Sequence, residues 1–272
     1  MGGGDDDGLL LLIKAELCNL DSNIEIITTA TRDPERTGNA YMQAFKDLGC
    51  GNARYLQIDE ANPADAPRTL ERLRKANVLF FTGGNQMRLS AYLSGTDFLE
   101  LTMRKLKTEA SFVVAGTSAG ACAMSNRMIF EGSGADAMLI DEIKVTGGLG
   151  LVRNLFIDTH FTERGRFGRL AQAVTRHPSC LGVGLAEGTG ILIEEGRKIK
   201  VFGSGNVTIM DGSQIKYTNL DEAGSGDPIA VENLIVHFLV QGHEFHLEQH
   251  AYKARMRGVK LKEENQEKFD LE

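Results

Sequence analysis

A Gly-x-Ser-x-Gly motif ends the apolar, β-branched run at residues 112–115, and small residues follow it. This order of residue types is typical of a nucleophile elbow, in which a strand turns sharply into a helix with one serine at the turn. Gly116 and Gly120 keep side chains out of the turn, so Ser118 can adopt a strained conformation that faces solvent. The motif therefore predicts a strand–turn–helix unit, either with Ser118 as a catalytic nucleophile or as an ordinary turn without a chemical role.

Strands and helices alternate regularly along the first half of the sequence, which predicts a parallel sheet covered by helices on both faces. The predicted strands lie at residues 24–30, 54–58, 78–81 and 112–115, and the predicted helices at 33–48, 67–76, 86–93 and 97–106. Beyond the motif, we expect a strand at 155–161 and a helix at 167–174. The later strands, at 184–194, 198–201, 207–210 and 235–240, predict antiparallel hairpins beside the parallel core.

The pattern predicts one α/β domain over residues 1–252, followed by a charged, solvated tail at 253–272. A glycine-rich turn at residues 2–4 leads into a helix-like stretch at 8–20, which is how an α/β protein leaves a strand. We therefore expect the first strand to be missing ahead of Gly2, together with any export signal before it. The alternative is a flexible acidic leader.

Composition narrows the class of protein. The net charge of −7 argues against nucleic acid as the main partner, and the longest apolar run near the start, residues 9–13, is too short to span a bilayer. The four cysteines, Cys18, Cys50, Cys122 and Cys180, are scattered and show no CxxC spacing. These features predict a cytoplasmic protein with reduced core cysteines, without nucleic-acid or membrane partners.

A serine hydroxyl needs a base to become a nucleophile, and His160 is the candidate because it follows an apolar strand. Strand alternation would place Asp158 and His160 on one face, at the sheet edge where α/β sites form. Glu187 lies where another apolar strand meets a glycine turn, so its carboxylate could orient the imidazole. A structural histidine and a plain turn carboxylate are the alternatives.

Two further features suit acyl transfer to or from a charged substrate. The Gly-Gly-Asn turn at residues 83–85 offers bare backbone N–H groups for an oxyanion or a phosphate, and we favour the oxyanion because no Walker lysine follows. Arg164, Arg166 and Arg169 follow His160 closely, and guanidinium groups bind carboxylates bidentately. A solvated basic turn is the alternative for the arginines.

The histidines at positions 243, 246 and 250 invite a metal interpretation. Their spacing is not that of the His-Glu-x-x-His motif, and Gly242 favours a hairpin. We therefore expect no metal, and no other cofactor.

Four motifs in order, at residues 80–86, 115–121, 158–170 and 184–189, resemble those of the cyanophycinases, a serine peptidase family that also contains α-aspartyl dipeptidase. The resemblance implies a flavodoxin-like three-layer sandwich, akin to glutamine-amidotransferase domains, with a mainly parallel sheet and antiparallel hairpins toward the C-terminus. It also implies a triad of Ser118, His160 and Glu187, and an oxyanion hole formed by Gly84 and Ala119.

The substrate of the family is a poly-aspartate chain that carries arginine on each β-carboxyl group, and the product is β-aspartyl-arginine. The resemblance implies that this chain binds a peptide rich in aspartate and arginine, and that it forms a homodimer. Thr159 stands where cyanophycinases usually carry glutamine, so one substrate contact is in doubt. The implied substrate-binding residues are Gln86, Asp158, Thr159, Arg164, Arg166 and Arg169.

Two other functions compete with this one. The first is a dipeptidase for other α-aspartyl or isoaspartyl peptides, with the same mechanism but a different pocket. The second is a catalytically silent binding module of amidotransferase shape.

If Arg166 and Arg169 bind substrate carboxylates, replacing either with alanine should impair kcat/KM while the melting temperature stays near that of the wild type.

Overall fold

The computed structural model describes residues 1–4, 10, 22–132, 136–248 and 251–253. Strands and helices alternate through the first half of these residues, as the apolar periodicity predicts. The elements are β1 (Ile24–Ile27), α1 (Pro34–Asp47), β2 (Ala53–Leu56), α2 (Pro67–Lys75), β3 (Val78–Phe81), α3 (Gln86–Leu93), α4 (Asp97–Thr108), β4 (Val113–Gly116) and α5 (Ala119–Ala123).

The first four strands form a parallel sheet in the order β2-β1-β3-β4. Alternate side chains of β3 enter two different clusters: Phe80 packs with Phe45 of α1, whereas Phe81 joins the cluster of Leu73 and Phe98 on the other face. Burial on both faces explains why these strands read as continuous apolar runs. The predicted parallel sheet with helices on both faces is confirmed.

The second half of the described chain is dominated by strands. Its elements are β5 (Arg127–Glu131), β6 (Lys144–Gly147), β7 (Leu155–Thr159), α6 (Phe167–Arg176), β8 (Leu181–Leu185), β9 (Thr189–Glu194), β10 (Lys198–Gly203), β11 (Val207–Asp211), β12 (Tyr217–Thr218), β13 (Val231–Glu232), β14 (Ile235–Leu239), β15 (Glu244–His246) and β16 (Ala251–Lys253). A second sheet has the order β14-β11-β8-β7, in which only β7 and β8 run parallel. A third sheet, β16-β15-β10-β9, is antiparallel throughout. The predicted antiparallel hairpins toward the C-terminus are therefore confirmed.

Several predicted boundaries need correction at the carboxyl ends of strands. β1 ends at Ile27 instead of residue 30, and β7 ends at Thr159 instead of residue 161. Residues beyond both ends are still buried, among them Thr28, Ala30 and Phe161, but the backbone turns. The N–H of Thr31 donates to the carbonyl oxygen of Thr28, and His160 has a φ of 47°. The predicted helix at 8–20 lies outside the described residues except for Leu10, which is buried beside Ile24. The predicted tail also lies outside them, apart from Lys253 at the end of β16.

Helix α5 shows why only small residues can follow the serine motif. All five of its residues are buried, and the helix packs directly on the end of β3. A Cβ atom on Gly120 would overlap the carbonyl oxygen of Phe81, and one on Gly116 would lie 2.8 Å from the carbonyl carbon of Gly120. The two glycines of the motif therefore let strand and helix approach closely enough to form the sharp turn.

We expect Gly120→Ala to lower the free energy of unfolding by about 1–3 kcal/mol, because the added methyl group must displace the backbone of β3. Gly51→Ala is the matched control, since a Cβ there meets nothing within 4 Å. Urea denaturation of the two variants and the wild type measures the difference. Equal midpoints for both variants would contradict this account of the turn.

Candidate active site

Ser118 lies at the turn between β4 and α5 and has a φ of 49°, which is rare for a residue with a side chain. Its backbone N–H donates to the carbonyl oxygen of Met1 at 3.1 Å, and its own carbonyl oxygen accepts from the N–H of Cys122 at 3.0 Å. The side chain is half-buried, so its hydroxyl stands at the rim of the core. This geometry is the strand–turn–helix elbow that the motif predicts.

Three side chains form a continuous hydrogen-bonded chain at this turn. The Oγ of Ser118 lies 2.9 Å from Nε2 of His160, and Nδ1 of the same ring lies 2.5 Å from Oε1 of Glu187. When Nδ1–H donates to the carboxylate, Nε2 has a free lone pair and accepts the proton of the serine hydroxyl. The arrangement can activate a serine for nucleophilic attack.

The position of His160 differs from the one that strand alternation predicts. His160 lies one residue beyond β7, and its positive φ turns its side chain toward Ser118 and Glu187. Asp158 remains inside β7, where its carboxylate binds two arginines instead of lying with the imidazole. The prediction that the alternation of one strand carries both side chains to one site is therefore wrong.

Backbone N–H groups without internal partners lie next to the serine. Among the hydrogen bonds of the described residues, none uses the N–H of Gly84 or of Ala119. A Cβ on Gly83 would lie 3.4 Å from Cβ of Ser118, and one on Gly84 would overlap the carbonyl oxygen of Ala30. The glycines thus keep this turn close to the nucleophile, with donors free for a developing negative charge.

A buried ion-pair cluster lies behind the site. Asp158 is 1% exposed and accepts hydrogen bonds from Nε of Arg169 at 2.6 Å and from Nη2 of the same side chain. Arg166 donates to Asp158 at 3.2 Å and to the carbonyl oxygen of Thr159 at 2.6 Å. Burial lowers the pKa of Arg166, although the carboxylate of Asp158 opposes this shift. The buried carboxylate of Asp158 is therefore paired with two guanidinium groups, and the cluster keeps one net positive charge.

The other predicted substrate-binding residues have different surroundings. The amide of Gln86 donates to the carbonyl oxygen of Ile129 at 3.1 Å. Thr159 is 2% exposed, with its hydroxyl 3.4 Å from Sγ of Cys122, so it points into the core. Arg164 is exposed, and no ion pair involves it among the described residues. Their roles toward a substrate stay predictions.

Two contributors near Ser118, His160 and Glu187 are not singled out by the sequence. Oε2 of Glu163 accepts a hydrogen bond from the N–H of Glu187 at 3.2 Å, which links the loop after His160 to the residue whose carboxylate contacts the imidazole. The segment at residues 1–4, which reads as a simple glycine turn, passes directly against the imidazole. An acidic residue three positions after the candidate base was the available signal for Glu163.

The hairpin expected at Gly242 is not formed, because Gly242 lies between β14 and β15, which belong to different sheets. His246 lies in β15, which pairs with β10 and β16, and Nδ1 of His243 accepts a weak hydrogen bond from the N–H of Val240 at 3.4 Å. His250 lies outside the described residues. Among the described residues, no group of three or more His, Cys, Asp or Glu side chains is arranged to hold a metal ion.

Every helix within the described ranges is too short or too polar to cross a membrane.

Comparison with known proteins identifies relatives over most of the chain. The sequence model of peptidase family S51 matches residues 3–201. A cyanophycinase of Trichormus variabilis is 35% identical over 83% of this chain and 76% of its own length, and one of Geminocystis herdmanii is 33% identical over 92% and 93%. The crystal structure of a peptidase from an acI-B1 Actinobacterium shares the fold, with a TM-score of 0.59, 18% identity, and coverage of 91% of this chain and 95% of its own.

We expect Cys122, one helical turn after Ser118, to resist alkylation in the folded protein. Burial raises the pKa of its thiol, and the carboxylate of Asp158 acts in the same direction, so the reactive thiolate is scarce. Treatment with iodoacetamide at pH 8, followed by peptide mass spectrometry, measures the modification, and urea-denatured protein is the control that should react fully. Modification of Cys122 in the folded protein would contradict this expectation and make the thiol a rival nucleophile.

Because Arg169 is buried, we expect its removal to destabilise the protein and not only to weaken substrate binding. Arg169→Ala leaves the Asp158 carboxylate buried with one partner fewer, so we expect the free energy of unfolding to fall by about 3–5 kcal/mol. Arg164→Ala is the matched control and should melt at nearly the wild-type temperature, because Arg164 is exposed. Calorimetry of both variants makes the comparison. An unchanged melting temperature for Arg169→Ala would contradict this prediction and support the sequence-based expectation that replacing Arg169 impairs only kcat/KM.

Proposed function

Because the chain belongs to peptidase family S51, and is therefore a serine-type peptidase, we propose that it is a cyanophycinase. It would hydrolyse the aspartate–arginine polymer to β-aspartyl-arginine through Ser118, His160 and Glu187. The observation that carries the proposal is the continuous hydrogen-bonded chain from Oγ of Ser118 through the imidazole to Glu187.

In the proposed first half-reaction, Oγ of Ser118 attacks the carbonyl carbon of the scissile peptide while Nε2 of His160 accepts the hydroxyl proton. Glu187 holds Nδ1–H and stabilises the imidazolium that forms. The negative charge of the tetrahedral intermediate would be met by the N–H groups of Gly84 and Ala119. The imidazolium then gives its proton to the leaving nitrogen, and the peptide bond breaks to leave an acyl-enzyme.

The second half-reaction reverses these roles with water as the nucleophile. His160 takes a proton from water as the oxygen attacks the acyl carbon, and then returns it to Oγ of Ser118 as the ester bond breaks. The product leaves as a free carboxylate, and the triad regains its starting protonation. All of these steps use side chains and backbone groups of this chain.

The surroundings of the triad suit a substrate that carries both charges. Arg164, exposed on the loop that follows His160, is available to a carboxylate of the substrate. The net charge of −7 is favourable for a polymer that presents many guanidinium groups. A cytoplasmic location and a homodimer remain predictions that accompany this proposal.

A second candidate function is that of an α-aspartyl or isoaspartyl dipeptidase. The observation in its favour is Thr159, whose short side chain is buried against Cys122 and leaves the site without a long amide at this position. Loss of one contact affects an extended polymer more than a dipeptide whose charged termini are close to the scissile bond. The triad chemistry would be the same.

The experiment that tests the proposal is hydrolysis of cyanophycin and of a panel of α- and β-aspartyl dipeptides. We expect release of β-aspartyl-arginine from the polymer, and a loss of about 10⁴–10⁶-fold in rate for Ser118→Ala. Ser94→Ala, which changes an exposed serine at the end of α3, is the matched control and should retain full activity.

Each result points to one conclusion. Polymer hydrolysis that Ser118→Ala abolishes supports a cyanophycinase. Activity on dipeptides alone supports the second candidate, with Thr159→Gln as the next variant to study. Absence of turnover on every substrate, with a folded wild-type protein, contradicts both.

A further inference from the structure

The segment at residues 2–4, which we call the glycine strap, crosses the proposed triad on its backbone side. The carbonyl oxygen of Gly2 accepts a hydrogen bond from the N–H of His160 at 2.9 Å, and that of Gly3 accepts from the N–H of Gly188 at 3.2 Å. Gly188 directly follows Glu187 in the chain. Just before the strap, the carbonyl oxygen of Met1 accepts from the N–H of Ser118. One short stretch of backbone is thus bonded at or beside each of the three triad residues.

These hydrogen bonds fall where the backbone most needs support. Ser118 and His160 have φ values of 49° and 47°, strained conformations that persist only when their surroundings impose them. In both residues the backbone N–H donates a hydrogen bond to this segment, from Ser118 to the carbonyl oxygen of Met1 and from His160 to that of Gly2. The strap is itself anchored, because the N–H of Gly2 donates to the carbonyl oxygen of Thr189 at 2.8 Å.

The strap also packs against the functional side chains so closely that side chains of its own have no room. A Cβ on Gly3 would lie 2.5 Å from Nε2 of His160, and a Cβ on Gly4 would lie 2.8 Å from Oε2 of Glu187. Both distances are well below ordinary van der Waals contact, which begins near 3.4 Å. The strap therefore limits how far the imidazole and the carboxylate can move.

We propose that the glycine strap is a positioning segment of the active site, which holds His160 between Ser118 and Glu187. The proposal rests on the function proposed above, because it assigns the strap to the triad of that function. The strap contributes no group to the reaction. It acts through the backbone of His160 and of Gly188, which follows Glu187, and through contact with the imidazole and the carboxylate. Met1, directly before the strap, supports the backbone of Ser118.

The test variant is Gly3→Ala, whose methyl group must displace the imidazole or the strap by about 1 Å. Gly242→Ala is the matched control, because Gly242 has nearly the same φ, 86° against 89°, and a Cβ there meets nothing within 4 Å. Both variants carry the same backbone strain, so any difference between them reports the contact with His160. A displacement of about 1 Å costs on the order of 10²-fold in rate.

The primary measurement is the rate at which a fluorophosphonate modifies Ser118, since this reaction needs the activated serine but no natural substrate. We expect Gly3→Ala to react about 10²-fold more slowly than Gly242→Ala, with similar melting temperatures. In hydrolysis assays, the loss should lie in kcat and leave KM nearly unchanged. Equal modification rates in the two variants would overturn the proposal.

A second pair keeps the test decisive if Gly3→Ala does not fold. Gly4→Ala displaces the carboxylate of Glu187, and Gly226→Ala is its control, with a φ of 82° against 84° and open space around its Cβ. Because the carboxylate then holds the imidazole less well, Ser118 should react with the fluorophosphonate more slowly in Gly4→Ala than in Gly226→Ala, and the loss in hydrolysis should again lie in kcat. Equal modification rates in this pair would likewise overturn the positioning role.

The outcome for the strap is separable from that for the substrate. Wild-type protein that reacts with the fluorophosphonate but does not hydrolyse cyanophycin contradicts the proposed substrate and leaves the comparison of strap variants valid. Wild-type protein whose Ser118 does not react at all contradicts the triad, and the strap proposal fails with it.

Discussion

The site depends on two strained corners, one at the end of β4 and one at the end of β7. Ser118 and His160 both take up positive φ values there, which turn their side chains toward each other across the gap between two sheets. The core holds the second corner in place, because Phe161 is buried and a Cβ on Gly184 would lie 2.5 Å from its ring. The strain is sustained by tightly packed surroundings, as expected where geometry matters more than local stability.

Charge at this site divides into a buried and an exposed set. Asp158, Arg166 and Arg169 are bonded to one another, and Arg166 also binds the carbonyl oxygen of Thr159, the residue before His160. Such a cluster costs desolvation energy, so its value lies in fixing the end of β7 and the start of α6 relative to each other. Arg164, two residues before the cluster's first arginine, is exposed on the same loop. Charges that look equivalent in the sequence therefore have distinct surroundings.

Much of the fold could be predicted from sequence, because β1, β3 and β4 are apolar runs separated by amphipathic helices with clear start signals such as Asp33. The three triad candidates could also be found, since each follows an apolar strand at a turn. The strand ends could not be predicted, because the backbone changes direction at His160 although the next residue, Phe161, is again apolar and buried. The contacts of the strap with His160 and Glu187 join segments far apart in the chain, and the burial of Arg169 depends on its pairing with Asp158 between β7 and α6, so no local pattern encodes either.

The strap and the loop after His160 lie at the same site but differ in what they present to it: the strap presents backbone, and the loop presents side chains. Residues 2–4 are all glycine, and a Cβ on Gly3 would overlap the imidazole of His160 while one on Gly4 would crowd the carboxylate of Glu187, so a side chain at either position would move one of these groups. The loop after His160 and the first turn of α6 instead carry exposed side chains, Arg164 on the loop and Phe167 on the helix. In the proposed function, substitutions on that loop would change substrate binding while the hydrogen-bonded chain from Ser118 to Glu187 stays intact.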